Sequence, residues 1–310
     1  MNALIIGGAG FVGAYLIKRL ASEKGCNVTA TKLPHEALEA DCNAVNLDIL
    51  DPQQVCEVLS ELRPDCIFHL AAQSSVKLSW ERPQLTVDVN IKGAVNVLEA
   101  VRTLDYKPKV LLIGSGEEYG FVREGESPVN EENPLRAGNI YAVTKACQNM
   151  LGSVYARAYG LDVIMIRAFN HIGAGQLPTF VVSDFCKQAA EIEKGIAEPV
   201  IKVGNLSARR DFSDVRDVVN AYVLLSKHGK SGETYNVGSG KAVEIKKILD
   251  IVVSKATADI RIEIDPKKLR PVDVPVIEAD ISKITADTGW KPEISLEDTI
   301  TGVLDYWRTK

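Results

Sequence analysis

The feature that most constrains this chain is a run of glycines at the seam between its first apolar stretch and its first amphipathic one. Ala3-Leu4-Ile5-Ile6 has the length and character of a buried strand, and Gly8-Ala9-Gly10-Phe11-Val12-Gly13 follows it as G-x-G-x-x-G. Counted from Gly7, the same stretch also reads G-x-x-G-x-x-G. Apolar spacing from Gly13 to Ser22 then predicts a helix. Glycine is needed where a chain turns tightly and brings its backbone against a pyrophosphate, and the amides at a helix N-terminus attract that negative charge. Gly7, Gly10, Phe11, Val12 and Gly13 are therefore expected to bind a dinucleotide.

The same rhythm continues for half the chain. Val28 to Thr31, Cys66 to Leu70, Val110 to Ile113 and Val163 to Ile166 read as buried strands. Gln53 to Glu61, Val87 to Leu104 and Tyr141 to Tyr159 carry the three- and four-residue apolar spacing of helices that cover a sheet. This alternation predicts an α/β fold, a Rossmann-type doubly wound parallel sheet. Beyond Arg167, glycine clusters break the rhythm, and a smaller α/β C-terminal substrate lobe is expected. Its helices are predicted at Thr179 to Lys194, Val215 to Lys227, Ile245 to Lys255 and Ser295 to Arg308. The expected division assigns residues 1–167 and about 215–237 to the cofactor domain, and 168–214 and 238–310 to the lobe.

Composition narrows the function. A total of 310 residues, 46% of them hydrophobic and 25% charged, suits one large globular domain or two fused ones. A net charge of −5 argues against a surface that grips nucleic acid. The N-terminus lacks a cationic leader and no apolar run is long enough to cross a bilayer, so no membrane association and a cytoplasmic location are expected. Cysteines 26, 42, 56, 66, 147 and 186 show no metal-ligand spacing, which predicts free, mostly buried thiols and no metal.

At the end of the second strand, an NAD-selective protein usually offers an acidic side chain to the ribose 2′-hydroxyl. Thr31 and Lys32 stand there instead, which favours NADP(H) and leaves NAD(H) open. Asp48 is placed either to meet the adenine amino group or to cap the helix that follows. Ser115 comes just after the strand Val110 to Ile113, and Tyr141 and Lys145 share one face of the next long helix. An ammonium near the phenol would draw its pKa down from about 10, allowing proton exchange with a carbonyl or alcohol. Alone, Tyr-x-x-x-Lys describes many exposed helix pairs; after the glycine loop and with the serine, it points to catalysis.

Together these residues resemble the extended short-chain dehydrogenase/reductase family of nucleotide-sugar enzymes. The resemblance runs through Gly7 to Gly13, Asp48, His69-Leu70-Ala71-Ala72, Asn90, Ser115, Tyr141, Lys145, Arg167-Ala168-Phe169-Asn170, Arg210-Asp211-Phe212 and Arg270 to Pro275, nearly the whole chain. It implies that Ile49, Leu70, Ala71 and Ala72 join Asp48 at the cofactor. It further implies that Asn170, Arg210 and Arg270 hold the substrate diphosphate and sugar, that Asn205 meets the nucleotide, and that Asn90 organises the site from within a helix. His171 is either a sugar contact or a structural histidine. Phe169-Asn170-His171 and Val203-Gly204-Asn205-Leu206 are similar to the members that handle GDP-linked mannose.

Within that group, the stretch Ser115 to Gly120 resembles enzymes that reduce the C4 ketone of GDP-4-keto-6-deoxy-D-mannose to GDP-D-rhamnose with NADPH. Glu117 occupies the place of the dehydratase base and is a fourth candidate catalytic residue, so 4,6-dehydration of GDP-mannose is the alternative, with 4-epimerisation behind it. Gly116 stands where dTDP-glucose-type dehydratases carry an Asp, and Lys32-Leu33-Pro34-His35 lacks the Arg-rich loop of the GDP-mannose dehydratases. A non-catalytic dinucleotide sensor would have no need of Ser115, Tyr141 and Lys145. Family likeness also implies a homodimer through the helices Val87 to Leu104 and Tyr141 to Tyr159.

Overall fold

The computed structural model describes residues 1–38, 41–269 and 274–310. Uninterrupted β-branched and leucine runs form strands and the amphipathic stretches form helices. Their order is β1 (Asn2–Ile6), α1 (Phe11–Ala21), β2 (Asn27–Lys32), β3 (Asn43–Asn46), α2 (Pro52–Leu62), β4 (Cys66–His69), α3 (Val76–Glu81) and α4 (Pro83–Val87). A π-helical turn, Asp88–Lys92, leads into α5 (Gly93–Thr103), followed by β5 (Lys109–Ile113), a 3-10 turn at Gly116–Tyr119, α6 (Ile140–Tyr159) and β6 (Val163–Ala168).

The expected single helix from Val87 to Leu104 is thus interrupted. Its cause is buried Asn90, whose side chain accepts from Gln73 N (2.8 Å) and donates to Gln73 O (3.1 Å) and Thr144 Oγ1 (2.9 Å). Holding one amide in that network is compatible with a locally widened turn, a distortion common near functional sites.

The remainder runs β7 (Asn170–Ile172), α7 (Val181–Glu193), β8 (Val200–Val203), β9 (Arg209–Asp214), α8 (Val215–His228), β10 (Thr234–Val237), β11 (Ala242–Glu244), α9 (Ile245–Lys255), β12 (Arg261–Ile264), β13 (Val276–Ile277), α10 (Ser282–Thr288) and α11 (Leu296–Thr309). Seven strands make one parallel sheet in the order β10-β6-β5-β4-β1-β2-β3. The order reverses between β1 and β4, and a crevice for a ligand opens beyond the carboxyl ends of strands at such a point.

Both faces of the sheet are covered. On one, Leu16, Ile17 and Leu20 of α1 pack with Val218, Tyr222 and Leu225 of α8, joined by Ile284 of α10 and Trp290. On the other, Val55 and Leu59 of α2 meet Val97 and Val101 of α5 and Tyr155 of α6. A separate core lies between α7, α9 and α11. Beside it, β9 bonds β7, β11 and β13 in a small sheet.

All six cysteines are free, but only Cys66 and Cys186 are buried, which corrects the expectation of mostly buried thiols: the other four lie on helix or strand flanks that face partly outward. Among the described residues no helix is long and apolar enough to cross a membrane, and no cluster of three or more His, Cys, Asp or Glu could hold a metal ion.

Candidate functional site

The glycine loop is shaped by close approach. Gly7 adopts φ 87°, and a Cβ there would lie 2.7 Å from the backbone of Ala71. A Cβ on Gly8 would fall 2.6 Å from Ala30 Cβ, and one on Gly13 would fall 2.3 Å from Gly8 O. Real Cβ atoms do not approach so near, so these glycines pack the loop against β2, β4 and the start of α1. Gly10 differs. It is exposed, precedes α1, and a Cβ on it would meet only Gly7 O, at 3.5 Å. No side chain caps α1. The space beside Gly10, in front of the first-turn amides, therefore fits the pyrophosphate of a dinucleotide.

Around the loop, Leu70 N and Ala71 N both donate to Ile6 O at 2.9 Å, so the chain leaving β4 runs alongside it, with Ala72 half-buried next in line. Thr31 is a correction: its side chain points inward, 1% exposed, and its hydroxyl accepts from Gly7 N at 3.2 Å. That hydroxyl braces the glycine loop. Lys32 is half-buried, with Nζ 3.5 Å from Leu33 O. Asp48 is exposed and accepts from Leu50 N at 2.9 Å, while buried Ile49 packs against Gly93. The cap of α2 is Asp51, which accepts from Gln53 N and Gln54 N. Asp48 therefore does not cap that helix.

The candidate catalytic side chains converge past the end of β5. Ser115 follows Gly114, and its Oγ accepts from Glu117 N at 3.2 Å. Tyr141 lies in the first turn of α6, whose cap is Asn139: its Oδ1 accepts from Ala142 N at 2.8 Å. The phenol is buried beside the Ser115 hydroxyl. Lys145 is 3% exposed, and its ammonium donates to Ile113 O (2.7 Å) and Gln148 Oε1 (3.1 Å).

This geometry corrects the expected electrostatics. Burial pushes the Tyr141 phenol up; Ser115 pulls it back, and the Glu117 and Glu118 carboxylates add to the rise. Lys145 does not offset that rise, because its ammonium is engaged elsewhere. Burial pushes Lys145 down to about 8, against an opposing pull from Glu118.

Glu117 is half-buried and its Oε2 accepts from Asn139 Nδ2 at 3.1 Å. Gly116 is tightly packed: a Cβ there would stand 3.0 Å from the Phe169 ring, which would have to give by a few tenths of an ångström. A cleft lined by Gly116, Glu117, Phe169, Asn170, Arg210, Asp211 and Ile277 lies next to Ser115. Asn170 and Arg210 are thus brought to the catalytic end of the sheet. Arg210 is buried, with Nη1 donating to Val274 O (2.6 Å) and Arg209 O (2.9 Å). Asn205 is exposed, does not line this cleft, and its Oδ1 accepts from Ser207 N at 3.0 Å. Arg270 lies outside the described residues.

Three further groups complete the surroundings of the site, two of which, Glu118 and His69, had no role assigned from the sequence. Buried Glu118 accepts from Ser115 N (2.8 Å) and pairs with Arg167 Nε (3.0 Å). His69 is 1% exposed with neither ring nitrogen bonded, and burial beside the Lys145 charge pulls it down to about 3. His171 stacks on Phe11, 6.3 Å apart at 4°, with Nδ1 3.0 Å from Phe169 O, so it links the glycine loop to β7. The sequence shows the His171 ambiguity; His69 ends the apolar strand β4 and Glu118 lies in the 3-10 turn, and no spacing marks either of them.

Comparison with known proteins bears on this arrangement. A family described as GDP-mannose 4,6 dehydratase matches residues 4–303. The GDP-6-deoxy-D-mannose reductase of Pseudomonas aeruginosa is 31% identical over 306 residues, covering 99% of this chain and 97% of that protein. The solved structure of RMD from Pseudomonas aeruginosa complexed with NADPH aligns with a TM-score of 0.89 at 31% identity, covering 100% of this chain and 99% of the other. The Thermus thermophilus UDP-glucose 4-epimerase complexed with NAD aligns with a TM-score of 0.88 at 30% identity, covering 99% of each chain.

Proposed function

The chain belongs to the GDP-mannose 4,6-dehydratase family of nucleotide-sugar short-chain dehydrogenase/reductases, and from that premise we propose that it is an NADPH-dependent reductase. Its substrate is GDP-4-keto-6-deoxy-D-mannose and its product GDP-D-rhamnose. The observation that carries this reading is the buried Tyr141 phenol beside the Ser115 hydroxyl, next to the cleft of Glu117, Asn170 and Arg210. Full-length likeness to a reductase at 31% identity selects the reaction.

NADPH supplies hydride to C4 when bound. Tyr141 donates its proton to the C4 oxygen, and Ser115 hydrogen-bonds the same oxygen as charge develops on it. Lys145 holds the nicotinamide ribose. Gly7, Gly10, Phe11, Val12 and Gly13 cradle the diphosphate, with Leu70, Ala71 and Ala72 alongside and Asp48 and Ile49 towards the adenine. Lys32 is the cation for a 2′-phosphate; NAD(H) is the alternative cofactor. Asn170, Arg210 and Arg270 hold the sugar diphosphate, Asn205 the nucleotide, and guanidinium forks suit phosphate oxygens. Residues 1–167 and about 215–237 form the cofactor domain, with 168–214 and 238–310 serving the sugar nucleotide.

A homodimer accompanies this reading. Val143, Met150 and Val154 are 52%, 57% and 54% exposed at helical spacing along α6, an apolar stripe that a second copy would cover. The location is cytoplasmic.

Dehydration is the second reading, favoured by Glu117, whose carboxylate is held by Asn139. Incubation with GDP-mannose separates the two. A 4-keto-6-deoxy product formed without added NADPH would sink the reductase assignment; NADPH consumption only when the keto sugar is supplied supports it.

A further inference from the structure

Glu118 is a carboxylate next to the site that the reaction above leaves unused. It is fully buried. One carboxylate oxygen accepts from Ser115 N at 2.8 Å and the other lies 3.0 Å from Arg167 Nε. Arg167 Nη1 in turn donates to Tyr119 Oη and Glu131 O, both at 3.0 Å, and Tyr119 Oη donates to Asn236 Oδ1 at 2.7 Å. Through this chain the turn that presents Ser115 is tied to β6 and β10. Room for the carboxylate depends on Gly114, where a Cβ would stand 2.3 Å from Glu118 Oε1.

A buried ion pair is a poor stabiliser, since desolvation offsets its attraction, and an apolar pair of equal volume usually does as well. Its presence one residue from the candidate oxyanion-binding serine calls for another role. Lys145 is faced by Glu118 from the 3-10 turn, His69 from β4, the Ile113 carbonyl from β5, and Gln148 from its own helix. His69 is neutral near pH 7. Of those, Glu118 brings the negative charge.

We propose that Glu118, clamped by Arg167, is a positioning residue: it fixes Ser115 against the Tyr141 phenol and supplies the buried negative charge that Lys145 faces. For its kinetic consequences this rests on the reductase reading; its electrostatic part does not.

Two substitutions separate the jobs. Glu118→Gln keeps the reach and removes the charge, whereas Glu118→Asp keeps the charge and shortens the reach. Lys145 is titrated by NMR in cofactor-free protein carrying isotope-labelled lysine, its signal assigned with Lys145→Arg. In parallel, kcat and KM are followed against pH with NADPH and the keto sugar. In Glu118→Gln the Lys145 midpoint drops by about one pH unit and the alkaline limb of the rate moves down with it. In Glu118→Asp the midpoint stays, and kcat falls roughly tenfold with KM for NADPH little changed. A folded Glu118→Gln protein with an unmoved Lys145 midpoint overturns the proposal, as does equal loss in both variants at every pH. If Glu118→Gln does not fold, Glu118→Leu/Arg167→Leu, which leaves no unpaired charge, must free the turn that carries Ser115: kcat falls roughly tenfold with KM for NADPH little changed, and an unchanged kcat overturns the proposal. Should the wild-type protein fail to reduce the keto sugar, the reductase reading falls while the NMR titration still decides this one.

Discussion

The Lys145 ammonium donates to the Ile113 carbonyl at 2.7 Å, while the Tyr141 phenol one turn earlier on the same helix is buried beside the Ser115 hydroxyl. The two members of the pair therefore have separate anchors at the end of β5. The phenol is held protonated and the ammonium is held close to its own titration point. This is a resting arrangement suited to a group that gives up a proton to a ketone.

Removing the phenolic hydroxyl tests that role. Tyr141→Phe should lower turnover by a factor on the order of 10² or more while NADPH affinity, read by fluorescence titration, stays within about twofold. Unchanged turnover would remove Tyr141 from the mechanism.

Position within the glycine motif decides what an added methyl does. Gly13→Ala puts a Cβ 2.3 Å from Gly8 O and should destabilise the fold by about 1–3 kcal/mol in urea unfolding. Gly10→Ala meets open space, so the protein should unfold at nearly the wild-type midpoint yet bind NADPH at least ~10-fold more weakly, by intrusion on the diphosphate. Equal effects on stability would contradict the cradle.

Acid sensitivity should trace in part to His69. Its folded pKa, about 3, lies below the unfolded value near 6.5, so across that window the unfolded chain binds the extra proton and stability falls as pH falls. Between about pH 6 and 5 the wild type should lose roughly 1 kcal/mol more than His69→Leu, compared by urea unfolding at each pH. Parallel losses in the two proteins would rule the histidine out as the source.

Asn139 serves two partners at once, capping α6 through Oδ1 and holding Glu117 through Nδ2. Asn139→Ser keeps a capping oxygen and drops the Glu117 contact, so it should unfold near the wild-type midpoint; Asn139→Ala should cost about 1 kcal/mol. Thermal melts of the two variants distinguish a cap from a mere loop residue.

Charge on the exposed α6 stripe probes self-association. Met150→Glu with Val154→Lys should give a monomer by sedimentation with the helical signal intact, and a wild-type protein that is itself monomeric at micromolar concentration refutes the homodimer.

Much of this was legible in the residues because one physical signal dominated each segment. β1, β4, β5 and β6 are continuous apolar runs, and the glycine loop has few conformations open to it. β3 escaped because Asn43–Asn46 is a polar edge strand, largely exposed, with no alternation to read. The break in the helix at Asn90 was hidden because it arises from bonds to Gln73 and Thr144, distant in sequence. The Glu118–Arg167 pair spans 49 positions and has no local signature. Thr31 was misread for a related reason: strand position told where it sits, but which way its hydroxyl turns depends on Gly7.

The core behind the large sheet draws on Ala3 at one end of the chain and on Trp290 near the other, with Val215 to Leu225 and Tyr235 between. During synthesis the glycine loop emerges first, yet only α1 covers the apolar face beneath it until α8, β10 and Trp290 have left the ribosome. A fragment ending near residue 167 would contain every proposed cofactor ligand and still lack the layer that shields its sheet. Such a fragment should aggregate instead of folding as a detachable nucleotide module, and the cofactor domain cannot be inherited or transplanted without the residues that return from beyond the lobe.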